Sequence, residues 1–241
     1  MEVDFKSYLP YIKWIPLLIF LVICFLTIFR KIRDKKLLET VTKLDSGTRT
    51  ERELVLKLLK HGIPARTIFH DLYVKKNGSG YSQIDLVVAT KVGIIVFEVK
   101  DYSGWIFGNG QQREWTQVLA YGKEYYHFYN PIMQNNKHIV ELTKKLKQFE
   151  NIPFYSIIVF FGNCVLNDIH FIPRKTYIVK SESVLEVVDI ILINNDSAPF
   201  TNKSEVVKIL DEAVQNGRNK AIQTQHIENI EQMLDKDKIY N

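Results

Sequence analysis

A chain of 241 residues, 46% apolar, 24% charged and 12% aromatic, has the length of one domain of about 150–200 residues plus appendages. This composition excludes a disordered, collagen-like or low-complexity protein, and two cysteines exclude a disulfide scaffold. The net charge of +5 suggests a nucleic-acid-binding surface only until its location is traced.

Residues 14–29 contain no charge, and counted from Tyr8, with Lys13 snorkelling, the apolar segment reaches 22 residues. At about 1.5 Å per residue that is about 33 Å of helix, enough to cross a hydrocarbon core of about 30 Å. Tyr8, Tyr11 and Trp14 suit an interfacial belt. Glu2, Asp4 and Lys6 precede the run and bulky Ile28, Phe29 and Arg30 end it, so it lacks the charge pattern and the small-residue site of a cleaved signal peptide. A retained transmembrane helix through residues 8–29 is predicted. Arg30, Lys31, Arg33, Lys35 and Lys36 against Asp34 give residues 30–36 a charge of +4. By the positive-inside rule the N-terminus lies outside and everything after residue 30 is cytoplasmic. Residues 1–29 balance, so of the total +5 only +1 is left for residues 37–241. The basic character belongs to the membrane flank.

Residues 37–47 read as a short stalk. A helix is predicted from about Glu51 to His61, with Thr48 or Thr50 as N-cap and Gly62-Ile63-Pro64 as the stop. Residues 67–74 read as a strand, and residues 83–90 and 93–100 as a hairpin joined at Lys91-Val92. Short strands around glycine turns fill residues 103–118. A helix over 131–149 carries Ile132, Ile139, Leu142, Leu146 and Phe149 at helical spacing. Strands at 154–161 and 176–180 follow, then helices after Ser181 or Ser183, at about 203–215 and at about 218–235. The six histidines pair with no cysteine at zinc-ligand spacing.

Charges interrupt the two most apolar strands: Asp85 in the first, Glu98 and Lys100 in the second. A buried charge needs a partner or a chemical task. Glu98 and Lys100 share a face. With a two-residue link the paired positions place Asp85 opposite Glu98, whereas a bulge at Gly93 would shift the register by one. Facing carboxylates repel unless a cation joins them, and Mg²⁺ typically takes one or two carboxylates with waters. The competing reading is a Lys100 salt bridge to Asp85 or Glu98. Glu51 falls on the apolar stripe of its helix; it either reaches the hairpin site or closes a capping box with Thr48.

These residues resemble the NERD (nuclease-related) domain of the PD-(D/E)XK nuclease superfamily. The matching series runs Gly47-Thr-Arg-Thr50-Glu51, Gln83-Ile84-Asp85, Glu98-Val-Lys100-Asp-Tyr102-Ser-Gly104, then Gly108 and Trp115, then Asn130-Pro131-Ile-Met-Gln134-Asn135. It covers about residues 44–150. Two departures are Thr50 in place of a second glycine and the lack of a proline before Asp85. The resemblance implies an α/β, restriction-endonuclease-like core, a mixed sheet flanked by helices, here preceded by one transmembrane helix. The chain divides as 1–36 anchor and basic flank, 37–180 nuclease-like domain and 181–241 helical extension.

The resemblance also implies metal-dependent hydrolysis of nucleic-acid phosphodiesters, with DNA the foremost substrate. Asp85 and Glu98 would be ligands to Mg²⁺ (or Mn²⁺), Lys100 the catalytic lysine, Glu51 the helix acid and Gln134 a residue lining the site. The alternative is a non-catalytic nucleic-acid-binding or signalling module that keeps the fold. His138, one turn beyond Gln134, reads as a helical surface residue. Trp105, Phe107 and Trp115 read as core fillers in preference to base-stacking platforms.

Overall fold

The computed structural model describes residues 14–239, apart from 77, 79, 150, 200 and 201. The apolar run Gly93–Asp101 (β3) is the middle strand of a five-stranded sheet. On one side it pairs antiparallel with β2 (Tyr81–Thr90), which pairs antiparallel with β1 (Ile68–Lys75). On the other side a run buried on both faces, Phe154–Phe161, makes a parallel neighbour, and Thr176–Lys180 continues the parallel edge. Near-continuous apolar runs belong to such doubly covered strands. A second, four-stranded sheet comprises β4 (Gly104–Asn109), β5 (Glu114–Leu119), β6 (Glu124–Tyr129) and Cys164–His170. In chain order Phe154–Phe161 is β7, Cys164–His170 is β8 and Thr176–Lys180 is β9.

Helices cover the larger sheet. Ile15–Leu38 is α1, Arg49–Lys60 α2, Pro131–Lys145 α3, Val184–Ile193 α4, Lys203–Gly217 α5 and Lys220–Ile239 α6. One core gathers Leu54, Val55 and Leu58 of α2 and Val184, Val188 and Ile191 of α4 against Leu86, Val88, Ile95 and Phe97. The other gathers Leu142 of α3 and Val206 and Leu210 of α5 against Leu72, Ile84, Ile94 and Val96. A third links the sheets: Trp115 stacks on Phe160 at 6.3 Å between ring centres, beside Ile106 and Ile158. The fold is α/β, with mixed sheets flanked by helices.

The hairpin register is the unbulged one. Thr90 faces Gly93, Ala89 faces Ile94 and Leu86 faces Phe97, without a shift at Gly93. An irregularity appears further along. Ile68 lies in the first core and Leu72 in the second, as do Leu86 and Ile84, although strict alternation puts each pair on one face. Strands β1 and β2 therefore roll over together between His70↔Leu86 and Leu72↔Ile84. Asp71, with φ of 56°, and Asp85 occupy the turning point.

Several expectations change. Leu38 and Thr42 are buried, so residues 37–42 are a docked part of the domain and not a stalk. Asp34 and Lys60 pair across α1 and α2. Among the described residues no helix is long and apolar enough to cross a membrane. Within α1 the charge-free stretch is residues 15–29, about 22 Å of helix, before Arg30, Lys31 and Arg33 intervene. The remainder of the predicted span, residues 8–13 with Tyr8 and Tyr11, lies outside the described residues. Helix α3 ends at Lys145, yet Leu146 and Phe149 still reach the second core. The strands at 124–129 and 164–170 were not predicted, because their side chains are largely exposed and lack an apolar run.

Candidate active site

The frayed end of the β2–β3 hairpin carries the charges. The ladder's last rung is Leu86↔Phe97, one residue short of Asp85 and Glu98. Beyond it Asp85 accepts a hydrogen bond from the Val99 amide at 2.8 Å. Glu98 is 1% exposed. Lys100 Nζ donates to Glu98 Oε1 at 2.6 Å and to Gln134 Oε1 at 3.0 Å. The salt-bridge reading of Lys100 is thus realised, but inside a larger cluster.

Helix α3 supplies that cluster's other wall. Asn130 caps it, accepting from the amides of Ile132 and Met133, while its own amide donates to the carbonyls of Asn109, Gly110 and Gln112. Pro131 takes the first helical turn, where no amide is needed. Asn135 donates to the Val96 carbonyl and to Ser156 Oγ, clamping α3 to β3 and β7. The pattern Asn-Pro-x-x-Gln-Asn therefore acts as a fastening that presents Gln134 to Lys100.

His138 corrects the surface reading: it is 8% exposed and faces inward. Its Nε2 lies 3.4 Å from Glu98 Oε2, and its Nδ1 is hydrogen-bonded to Ser82 Oγ at 2.9 Å. Position i+4 from Gln134 was the available signal, since both residues sit on the face that α3 turns toward β3.

A second cluster is built around Glu51. Thr48 is the N-cap of α2, and its oxygen accepts from the Glu51 amide at 3.3 Å. The Thr48 hydroxyl donates to Glu51 Oε1 at 2.7 Å, while Glu51 Oε2 lies 3.3 Å from His70 Nε2. The cap with Thr48 is realised; the side chain does point inward, but to His70 of β1, and it acts on the hairpin site only through its charge on Asp85. His70 is 3% exposed, with Nδ1 hydrogen-bonded to Thr42 at 2.7 Å. Gly47 lies over this pair. A Cβ there would stand 2.4 Å from Glu51 Oε2 and 2.7 Å from the His70 ring, and its φ is +60°. His70 and Asp71 escaped the sequence reading, although they break the β1 run as Asp85 breaks β2.

The electrostatics tie the two clusters together through Asp85. Burial pushes the Asp85 carboxyl well above the usual range, and the Glu98 and Glu51 charges push it further, against the Val99 amide and Lys100. For Glu51, burial acts upward, but the His70 ring 3.3 Å away and the hydrogen bonds from Thr48 prevail, so its pKa is lowered. Burial also acts on Lys100, downward, yet Glu98, Asp85 and Tyr102 outweigh it and hold the ammonium above its ordinary value. Asp71 is raised by burial, against hydrogen bonds from Gln83 and the Gly47 amide.

Among the described residues no three His, Cys, Asp or Glu side chains form a ready-made metal cage. Four polar atoms of the two clusters are nevertheless buried without a hydrogen-bond partner: Glu98 Oε2, His138 Nε2, Glu51 Oε2 and His70 Nε2. Native interiors rarely leave such atoms unpaired.

Residues 46–161 match the family model of NERD, the nuclease-related domain. Every residue of both clusters except Thr42 falls inside that stretch. An uncharacterized protein of Bacillus anthracis is 30% identical over 112 residues, which are 46% of this chain and 51% of the relative. The chain thus spans about half the length of that relative. No solved structure matches. The NERD match makes a nuclease-related function the starting point for the site's chemistry. It also gives the glycine–tryptophan segment a structural sense: a Cβ on Gly108 would stand 2.3 Å from the Trp115 ring, so the glycine makes room for it. Trp115 is buried as expected of a core filler, whereas Trp105 is exposed.

Proposed function

We propose that this chain is a membrane-anchored, divalent-metal-dependent nuclease that hydrolyses nucleic-acid phosphodiesters, DNA foremost. The observation that carries this reading is the frayed end of the hairpin, where Lys100 is bonded to Glu98, both charges act on Asp85, and a buried Glu98 oxygen is left unpaired. The residues fit a cation. Two carboxylates raise the Asp85 pKa beyond what burial does, a repulsion that a divalent ion would relieve. Asp85 and Glu98 would hold Mg²⁺ (or Mn²⁺), with waters completing its shell. Such an ion, when bound, supplies an acidified water and charge stabilisation at a phosphoryl oxygen.

The protein's own groups divide the remaining tasks. Lys100 is an ammonium held by Glu98 and Gln134, so it serves as a fixed positive charge for a phosphate oxygen and not as a base. Gln134 keeps that ammonium in place from α3. Glu51 adds a further negative charge acting on Asp85 and so favours occupation of the site by a cation.

The anchor is residues 8–29, with the N-terminus outside and the remainder cytoplasmic. Support comes from α1, whose Leu18, Phe20, Phe25, Ile28 and Phe29 are each more than half exposed, and from the basic flank at 30–36. Retention in the membrane pellet after alkaline carbonate washing tests it; release into the supernatant would exclude an integral anchor.

A second reading, a module that binds nucleic acid without cutting it, is favoured by the mutual satisfaction of Lys100 and Glu98 at 2.6 Å. One experiment separates the two. The full chain in detergent is incubated with circular and linear DNA and with RNA, with Mg²⁺, Mn²⁺ or EDTA, beside Asp85→Ala and Lys100→Ala. Metal-dependent cleavage abolished by either substitution supports the nuclease. Equal cleavage by all three proteins means a contaminant and overturns it, and retention of nucleic acid without cleavage supports the binding module.

A further inference from the structure

The two buried atoms left unpaired beside Lys100 face each other. Glu98 Oε2 and His138 Nε2 are 3.4 Å apart, and neither has a hydrogen-bond partner among the described residues. A plain imidazole–carboxylate hydrogen bond would have satisfied both. Two donors about 2.1 Å from one ion, at octahedral to tetrahedral angles, stand about 3.0–3.4 Å apart, so the gap has the width of two ligands of one metal. The other ends of both side chains are already engaged. Glu98 Oε1 takes the Lys100 ammonium, and His138 Nδ1 is fixed by Ser82 Oγ at 2.9 Å. A metal-binding histidine characteristically has its second ring nitrogen held in this way, which sets the ring's orientation and tautomer.

We propose that His138 is a metal ligand of this site, paired with Glu98, and that the site therefore selects a first-row transition ion over Mg²⁺. The inference rests on the metal-dependent reading above and refines it. An all-oxygen pair suits Mg²⁺, which holds its waters tightly; an imidazole nitrogen in the first coordination sphere shifts preference toward ions that accept nitrogen. Helix α3 then contributes to the site directly, through His138, as well as through Gln134, which holds Lys100.

Mn²⁺ is the probe, added to the tag-free full chain in detergent. Free Mn²⁺ is counted from its solution EPR signal, and pulsed EPR of the bound ion reports any directly bonded nitrogen. Wild type is expected to show imidazole ¹⁴N coupling. His138→Gln is expected to lose it and to bind Mn²⁺ tenfold or more weakly, while His70→Gln keeps it. Excess Mg²⁺ should displace Mn²⁺ from His138→Gln at far lower concentration than from wild type. Mn²⁺ binding that disappears in Asp85→Asn but shows no ¹⁴N coupling in wild type overturns the ligand role and leaves the nuclease reading standing. Absence of any Mn²⁺ binding overturns both. If His138→Gln does not fold, His70→Gln decides: coupling kept there supports the proposal, coupling lost overturns it.

Discussion

The amide of Val99 donates to the carboxylate of Asp85 at 2.8 Å, in the place where a strand carbonyl would otherwise receive it. The β2–β3 ladder has ended one rung earlier, at Leu86↔Phe97, and the Asp85 side chain takes over as the acceptor. That exchange frays the hairpin without leaving an orphan amide. It also sets Asp85 where the Glu98 and Glu51 charges both act on it.

Asp85→Asn should therefore stabilise the metal-free protein while abolishing cleavage. Asparagine keeps an acceptor for Val99 and removes the repulsion from Glu98 and Glu51. Because the folded pKa is raised, the folded state keeps a proton that the unfolded chain releases above about pH 3.9. Wild type loses stability as pH rises from there toward the folded value, and the variant does not. Urea unfolding in EDTA at pH 7 should show a gain of about 0.5–2 kcal/mol for the variant. No gain should remain near pH 3.5.

Much of this was legible in the residues. The hairpin register followed from a two-residue link, but the ladder stops at Leu86↔Phe97, so Asp85 takes the Val99 amide and is not paired with Glu98 as expected. Lys100 and Gln134 were assigned by their motifs and meet at 3.0 Å. What stayed hidden depends on contacts between distant elements. The histidines His70 and His138 owe their burial to the rollover of β1 with β2 and to the angle at which α3 packs, and no local period encodes either. Thr42 shows the same limit. A polar residue after a charged helix end reads as linker until the fold places it on His70.

Gly47→Ala tests the packing over the Glu51–His70 pair. The added methyl would meet both side chains within 2.7 Å, at a backbone φ of +60° that alanine avoids. A loss of about 2–4 kcal/mol is expected from clash and strain together, read as a fall in urea midpoint with unchanged slope. Gly62→Ala, also at positive φ but with nothing within 4 Å, should cost about 1 kcal/mol, the backbone part alone.

Asn130→Ala removes a cap and a staple at once. The side chain accepts from two amides at the start of α3 and donates to three carbonyls of the 109–112 loop. The cap is worth about 1–2 kcal/mol, and the lost bonds to the Gly110 and Gln112 carbonyls add about 1–2 kcal/mol, while Asn109 keeps the Trp115 indole as a donor. The expected total is about 2–4 kcal/mol. Hydrogen exchange should show amides at the start of α3 losing protection before those of β3. Asn130→Asp, which keeps the acceptor and loses the donor, should recover the cap's share only.

Glu51→Gln separates charge from hydrogen bonding in the second cluster. Glutamine still accepts from the Thr48 hydroxyl, so the cap survives, but the favourable pairing with His70 is lost. The wild-type pKa is lowered in the folded state: the nearby His70 ring and the hydrogen bonds from Thr48 outweigh burial. Its stabilising contribution is therefore complete above about pH 4.3 and disappears as pH falls through the folded value. Wild type should exceed the variant by about 1–2 kcal/mol at pH 7, an advantage that vanishes on acidification below pH 4 or so. Removing the Glu51 charge also withdraws one of the two carboxylates that push Asp85 up. In Glu51→Gln the pH at which metal binding begins should consequently fall, by the same mechanism and in the same titration series. A variant equal to wild type at every pH would mean that Glu51 contributes only its cap.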